Sequence, residues 1–150
     1  MTLTTRRVAV TCAAVLAFGV VTAGCSGEPG VSVAAGPTAS AAPRAGATLG
    51  AQDFAAALKR PGTTVVDVRT PAEFADGHLP GAVNIDISGP DFARQLTGLD
   101  PSAPYAVYCR SGNRSAAALA QMASVGFTAG YHLGGGVGAW TAAGGELVTE

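Results

Sequence analysis

The chain is 150 residues long, 48% hydrophobic and 13% charged, with a formal net charge of −1 at pH 7. Nine Lys/Arg against ten Asp/Glu leave no basic surplus for a nucleic acid or a polybasic membrane contact. One cysteine in the part of the chain that can fold and two histidines, far apart in sequence, match no zinc-ligand spacing, so no metal is expected; no cofactor is expected either.

Arg6-Arg7 precede an apolar run from Val8 to Val21. That run has the length of a signal-peptide core and falls short of the roughly 20 residues a membrane span needs. It ends in Val21-Thr-Ala-Gly-Cys25, which resembles a bacterial lipobox. Residues 1–24 are therefore read as a leader, with Cys25 lipidated and the protein anchored on the extracytoplasmic face of the cell membrane. Thr22 stands where an aliphatic residue is usual, so Val21-Thr-Ala23 offers the alternative of ordinary secretory cleavage and a soluble secreted product. The twin arginines are not continued as a twin-arginine export motif by Val8-Ala9-Val10. Residues 25–47 are almost wholly Gly, Ala, Ser, Pro, Thr and Val without apolar periodicity, and are expected to form a disordered tether spanning about 25 Å. Without the leader, seven Lys/Arg face ten Asp/Glu, a net −3. Cys12 leaves with the leader and Cys25 carries lipid, so Cys109 is left as the single thiol and no internal disulfide is possible.

Residues 48–150 suffice for one core. Phe54, Ala57 and Leu58 have helical spacing, which predicts a helix over 53–59 that stops at Pro61-Gly62. Thr64-Val-Val-Asp-Val68 reads as a strand, and 71–75 as a short helix with Pro71 in its first turn. Val83-Asn-Ile85 is a brief strand, and 91–96 a helix before Gly98 and Pro101. Tyr105-Ala-Val-Tyr108 is a buried strand, Cys109-Arg-Ser-Gly-Asn-Arg114 a tight loop, and 115–123 a helix with Ser115 placed to cap it. Gly130-Tyr-His-Leu133 is the last strand and 136–142 a final helical turn. Strands alternating with helices imply an α/β fold with a parallel sheet covered on both faces.

The chemistry concentrates at Cys109. A thiol at a strand-to-helix junction faces the free N–H groups of the loop and of the first helical turn, at the positive end of the helix dipole. Arg110 and Arg114 add positive charge nearby. This environment favours the thiolate, which is the nucleophilic form, and equally favours an approaching anion. An unpaired thiol in an exported domain is a chemical hazard unless it has a use.

Three separated motifs together resemble the rhodanese sulfurtransferases. They are Asp67-Val-Arg-Thr-Pro-Ala-Glu-Phe74 continuing through Gly77-His-Leu-Pro-Gly-Ala-Val-Asn84, the loop Cys109-Arg-Ser-Gly-Asn-Arg114, and Leu133-Gly-Gly-Gly-Val-Gly-Ala-Trp140. The resemblance implies a five-stranded central parallel sheet flanked by helices. It also implies a persulfide mechanism, in which Cys109 takes sulfane sulfur from thiosulfate or a similar donor and passes it to cyanide or a thiol. Backbone N–H groups from Arg110 through Ser111, Gly112, Asn113 and Arg114 to Ser115 would cradle the sulfur anion. Gly112 lets the loop bend, Arg110 is the candidate for the sulfonate end of the donor, and Arg114 holds the loop through a carboxylate. Asp67, Arg69 and Glu73 would brace the loop without touching sulfur. His78 is assigned a structural place, His132 that of a satisfied core or edge residue, and Trp140 that of a packing anchor. Two other readings stay open: a non-catalytic binding or regulatory module, and a sulfur relay to a partner protein. A cysteine-dependent phosphatase would need Cys-x5-Arg, whereas Ser115 stands where its arginine would be.

Overall fold

The computed structural model describes residues 36–149, and the strand–helix alternation expected from the sequence runs through them. The expected leader 1–24, the lipidation site Cys25 and the first part of the expected tether lie outside the described residues. In chain order the elements are β1 (Thr48–Leu49), α1 (Ala51–Leu58), β2 (Thr64–Asp67), α2 (Pro71–Ala75), β3 (Val83–Asn84), α3 (Phe92–Leu96), β4 (Tyr105–Tyr108), α4 (Asn113–Ser124), β5 (Gly130–Leu133) and α5 (Gly136–Ala142). The five strands form one sheet in the order β1-β5-β4-β2-β3, and every pairing is parallel.

Strand geometry sends alternate side chains to opposite faces, and this decides where Cys109 goes. Tyr105, Val107 and Cys109 join one core with Val66, Val68 and the α4 residues Ala118, Leu119 and Met122. Ala106 and Tyr108 join the other core, with Phe54, Val65, Tyr131, Leu133 and Trp140. Cys109 follows β4 directly and keeps its phase, so its thiol lies on the α4 side of the sheet, at the carboxyl ends of the strands where ligands bind in such sheets. The buried face of α4 runs Ser115, Ala118, Leu119 and Met122, one stripe of a helix.

Three features differ from the sequence expectation. Helix α4 starts at Asn113, two residues earlier than expected, with Gly112 as its cap residue at φ +99°. Ser115 therefore sits inside the first turn, and its hydroxyl donates back to the Gly112 carbonyl at 2.9 Å. Strand β1 was not expected, because two residues carry no periodicity. It exists by pairing, with the His132 N–H donating to the Ala47 carbonyl and the Gly134 N–H to that of Leu49. Finally, residues 36–47, expected as tether, lie along the domain. The Ala39 N–H donates to the Ala56 carbonyl at 2.9 Å, Arg60 Nη1 donates to the Ala39 carbonyl at 3.2 Å, and Ala39 and Ala47 pack on the second core. Composition shows only that a segment has no core of its own, and says nothing of a neighbour that satisfies its backbone.

Candidate active site

Cys109 is fully buried, and among the described residues it is the only free cysteine. The Gly112 N–H donates to its Sγ at 3.1 Å. Burial alone would push the thiol pKa up. The Ser115 backbone N–H and hydroxyl, followed by the backbone N–H groups of Ser111 and Gly112, oppose burial and hold the thiol below its ordinary value. Of the loop donors expected from the sequence, the Gly112 N–H reaches the sulfur, and those of Ser111 and Ser115 favour its anion, Ser115 from within the helix's first turn.

The loop is bent by glycine and clamped by the segment that follows β5. Gly112 takes a left-handed φ, and a Cβ there would lie 3.2 Å from the Gly135 nitrogen. On the other side the Val137 N–H donates to the Cys109 carbonyl at 2.9 Å, which draws the glycine run after β5 onto the loop. Sequence reading recognised that run only as a motif. Its physical reason is backbone-to-backbone contact, for which the three consecutive glycines at 134–136 are the trace in the sequence.

Arg114 makes a bidentate pair with Glu73, Nη1 to Oε2 and Nη2 to Oε1, both at 2.7 Å. Glu73 is fixed in turn by a capping box: its backbone N–H donates to Thr70 Oγ1, and its carboxylate accepts from the Thr70 N–H. The Arg114 fork is the main cause that lowers the Glu73 pKa to about 2. The expected carboxylate partner of Arg114 is therefore Glu73. A carboxylate whose folded pKa lies below its unfolded value stabilises the fold above the unfolded pKa, and that contribution is lost as pH falls through the folded pKa. Arg114→Ala should consequently lower stability at pH 7 by about 1 kcal/mol, in line with a partly exposed ion pair. Thermal unfolding from pH 7 to 2 should show the gap to the unaltered protein shrinking below about pH 4.5. A gap that stayed constant down to pH 2 would contradict the pairing.

Asp67 and Arg69 form a second, buried pair on the strand end beside the loop. Arg69 Nε donates to Asp67 Oδ2 at 2.9 Å, and Arg69 Nη2 also reaches the Gly77 carbonyl at 2.7 Å. The Arg69 guanidinium lies over the Tyr108 ring, 5.7 Å from its centroid. Asn84, marked in the sequence only as the end of a motif, donates from Nδ2 to the carbonyls of Asp67 and Arg69. His78 packs flat on Phe74, with ring centroids 3.7 Å apart, its Nδ1 lies 3.0 Å from the Phe74 carbonyl oxygen, and its backbone pairs with Val148. Trp140 is fully buried edge-to-face with Phe54, and its Nε1 donates to the Glu146 carbonyl.

Arg110, Ser111 and Asn113 are exposed. Arg110 and Ser111 line a cavity of about 520 Å³ with Arg69, Glu73, Asp76, Gly135, Val137 and Gly138. Among the described residues no group of His, Cys, Asp and Glu could hold a metal ion, and no helix is long and apolar enough to cross a membrane. Such a site can hold a sulfur anion in N–H dipoles and offer a guanidinium to an anion at its rim.

Comparison with known proteins places these features in company. The profile of the rhodanese-like domain matches residues 50–143. The chain is 39% identical over 89 residues to thiosulfate sulfurtransferase GlpE of Pseudomonas fluorescens (strain SBW25), covering 59% of this chain and 79% of that protein. It is 42% identical over 86 residues to GlpE of Ectopseudomonas mendocina (strain ymp), covering 57% and 76%. Among solved structures, a rhodanese-related protein from Thermoplasma volcanium matches with a TM-score of 0.62 at 33% identity, covering 69% of this chain and 99% of that one.

Proposed function

Because this chain belongs to the family of rhodanese-like domains, we propose that it moves sulfane sulfur from thiosulfate, or a donor like it, through a persulfide on Cys109 to cyanide or a thiol. It is an enzyme of the thiosulfate sulfurtransferase type. The observation that carries the assignment of Cys109 is the buried thiol with the Gly112 N–H on its sulfur and further loop donors holding it towards the anion.

The thiolate attacks the outer sulfur of thiosulfate. A new S–S bond forms to Cys109, the donor's own S–S bond breaks, and sulfite leaves with the electron pair. Cyanide then attacks the terminal sulfur, thiocyanate departs, and the electron pair returns to Cys109 as thiolate. No external oxidant or reductant is needed. The N–H groups of Ser111, Gly112 and Ser115 that favour the thiolate serve the persulfide anion in the same way. The Glu73–Arg114 and Asp67–Arg69 pairs hold the walls of the loop. The deciding experiment is mass spectrometry after thiosulfate treatment, which should find one added sulfur atom on Cys109, removable by cyanide. Sulfur on no residue would sink the proposal.

Arg110, exposed at the cavity rim, is our candidate for the sulfonate end of the donor. Arg110→Ala should raise the KM for thiosulfate about five- to tenfold with kcat and thermal stability little changed, as loss of a ground-state contact requires. An unchanged KM would remove Arg110 from the donor site.

The leader and lipobox reading of residues 1–25 gives the proposed address: an extracytoplasmic domain held to the membrane at Cys25. Cys25→Ala should release soluble enzyme or leave the leader uncleaved. A native mature N-terminus at an unmodified Gly24 would favour the secreted form instead.

A further inference from the structure

A polar chain runs from the buried Cys109 loop to exposed Thr48 at the edge of the sheet, and sulfur transfer as described does not use its middle member. His132 on β5 is 6% exposed and stands between two hydroxyls. Its Nδ1 is 3.1 Å from Ser115 Oγ, and its Nε2 is 2.8 Å from Thr48 Oγ1 on β1. Ser115 Oγ also donates to the Gly112 carbonyl at 2.9 Å. A serine hydroxyl has one proton to give. With that proton on Gly112, the contact to His132 is a hydrogen bond only if Nδ1 is the donor. Nε2 is then the acceptor, and the Thr48 hydroxyl supplies the proton. Burial holds the His132 pKa below its ordinary value, which favours the neutral ring with the single N–H that this arrangement requires.

We propose that His132 is a positioning residue for sulfur transfer: its Nδ1–H, with the tautomer set by Thr48, occupies the Ser115 oxygen and keeps the Ser115 proton turned into the Cys109 loop. The inference rests on Cys109 being the reacting thiol. On the loop side that proton has two possible acceptors, the Gly112 carbonyl and the Cys109 sulfur, and the hydroxyl is among the groups that favour the sulfur anion. When the sulfur is charged, the proton swings from carbonyl to sulfur without releasing His132. A ring accepting at Nδ1 would draw the proton away from both. The charged groups about the loop are Arg114 paired with Glu73, Arg69 paired with Asp67, and exposed Arg110. None of them contacts the His132 ring, whose partners are Thr48 and Ser115, so the orienting effect is separable from theirs.

Two measurements on the full chain test this. Nitrogen-15 chemical shifts of the His132 ring in the unaltered protein should show a protonated Nδ1 and a bare Nε2. The opposite tautomer overturns the proposal, whatever any variant does. The pH dependence of iodoacetamide alkylation, read at the Cys109 peptide, supplies the second test. Ser115→Ala should raise the midpoint by about one pH unit, the scale of one lost hydrogen bond to an anion. His132→Leu should raise it in the same direction by a smaller step. His132→Asn, whose amide can replace the Nδ1–H, should recover most of the shift. The double variant Ser115→Ala, His132→Leu should shift no further than Ser115→Ala alone, because both act through one proton. A merely structural His132 would lower the melting temperature while leaving the midpoint in place, and that result, or full additivity, overturns the proposal. Alkylation does not depend on sulfur transfer, so absence of a persulfide would refute the function of Cys109 without touching this outcome.

Discussion

Cys109→Ser is expected to end sulfur transfer altogether: no sulfur retained from thiosulfate and no thiocyanate formed with cyanide, a fall of about 10⁴-fold or more, as for loss of an enzyme nucleophile. The reason is chemical before it is geometric. A serine hydroxyl is far less acidic than a thiol, so the loop donors that hold the Cys109 sulfur towards its anion have too little to work with. Nor can an oxygen carry sulfane sulfur as a persulfide. The replacement is smaller than the thiol and sits at a fully buried position with the Gly112 N–H still aimed at it, so the fold should survive. Thiocyanate release and intact mass, measured on a variant with an unchanged circular dichroism spectrum, check the claim. Turnover at the unaltered rate would move the reaction to another residue.

Gly136→Ala should be the most damaging substitution outside the loop itself. Gly136 has φ +56°, and a Cβ there would run into the Cys109 carbonyl oxygen and lie 2.6 Å from that of Arg110. Both obstacles are backbone, so no side chain can swing aside. A left-handed alanine costs about 1–2 kcal/mol, and forcing an atom into a packed site about 1–3 kcal/mol more. For a domain of this size the two together should lower the melting temperature by about 10 °C or more. Relief can come only by moving residues 109–110, so the thiol should lose its donors, and activity should fall even in the molecules that remain folded. Gly138→Ala is the control for stability: its Cβ would meet the Arg110 carbonyl at 4.0 Å, an ordinary contact. Equal melting temperatures for the two variants would show that the close approach at Gly136 is not needed.

The chain's periodicity carries much of the fold. β2, β4 and β5 are short apolar segments bounded by breakers, and the structure has them within a residue of the expected limits. Pro71 marks α2 through its preset φ, and the structure adds a Thr70–Glu73 capping box that holds the same turn. The two-residue β1 has no such signal, since its reason for being a strand is its neighbour β5. The start of α4 was misplaced because Ser115 has the chemistry of a cap, while Gly112 has the backbone freedom the turn demands.

The same division runs through the site. Cys109 could be singled out from the chain alone, because a thiol, a glycine and two arginines between a strand and a helix state their chemistry locally. Which carboxylate meets Arg114 is a matter of distance in space, and Glu73 reaches it across 41 residues. The glycines at 134–136 stand out in the sequence as a motif but without a stated contact, and the histidine at 132 reads only as a core or edge residue. They acquire meaning only when parallel pairing sets β5 beside β4 and brings their backbone and ring atoms against the Cys109 loop and Ser115. Local residue chemistry thus singled out the candidate thiol, while long-range strand pairing chose the atoms packed around its loop.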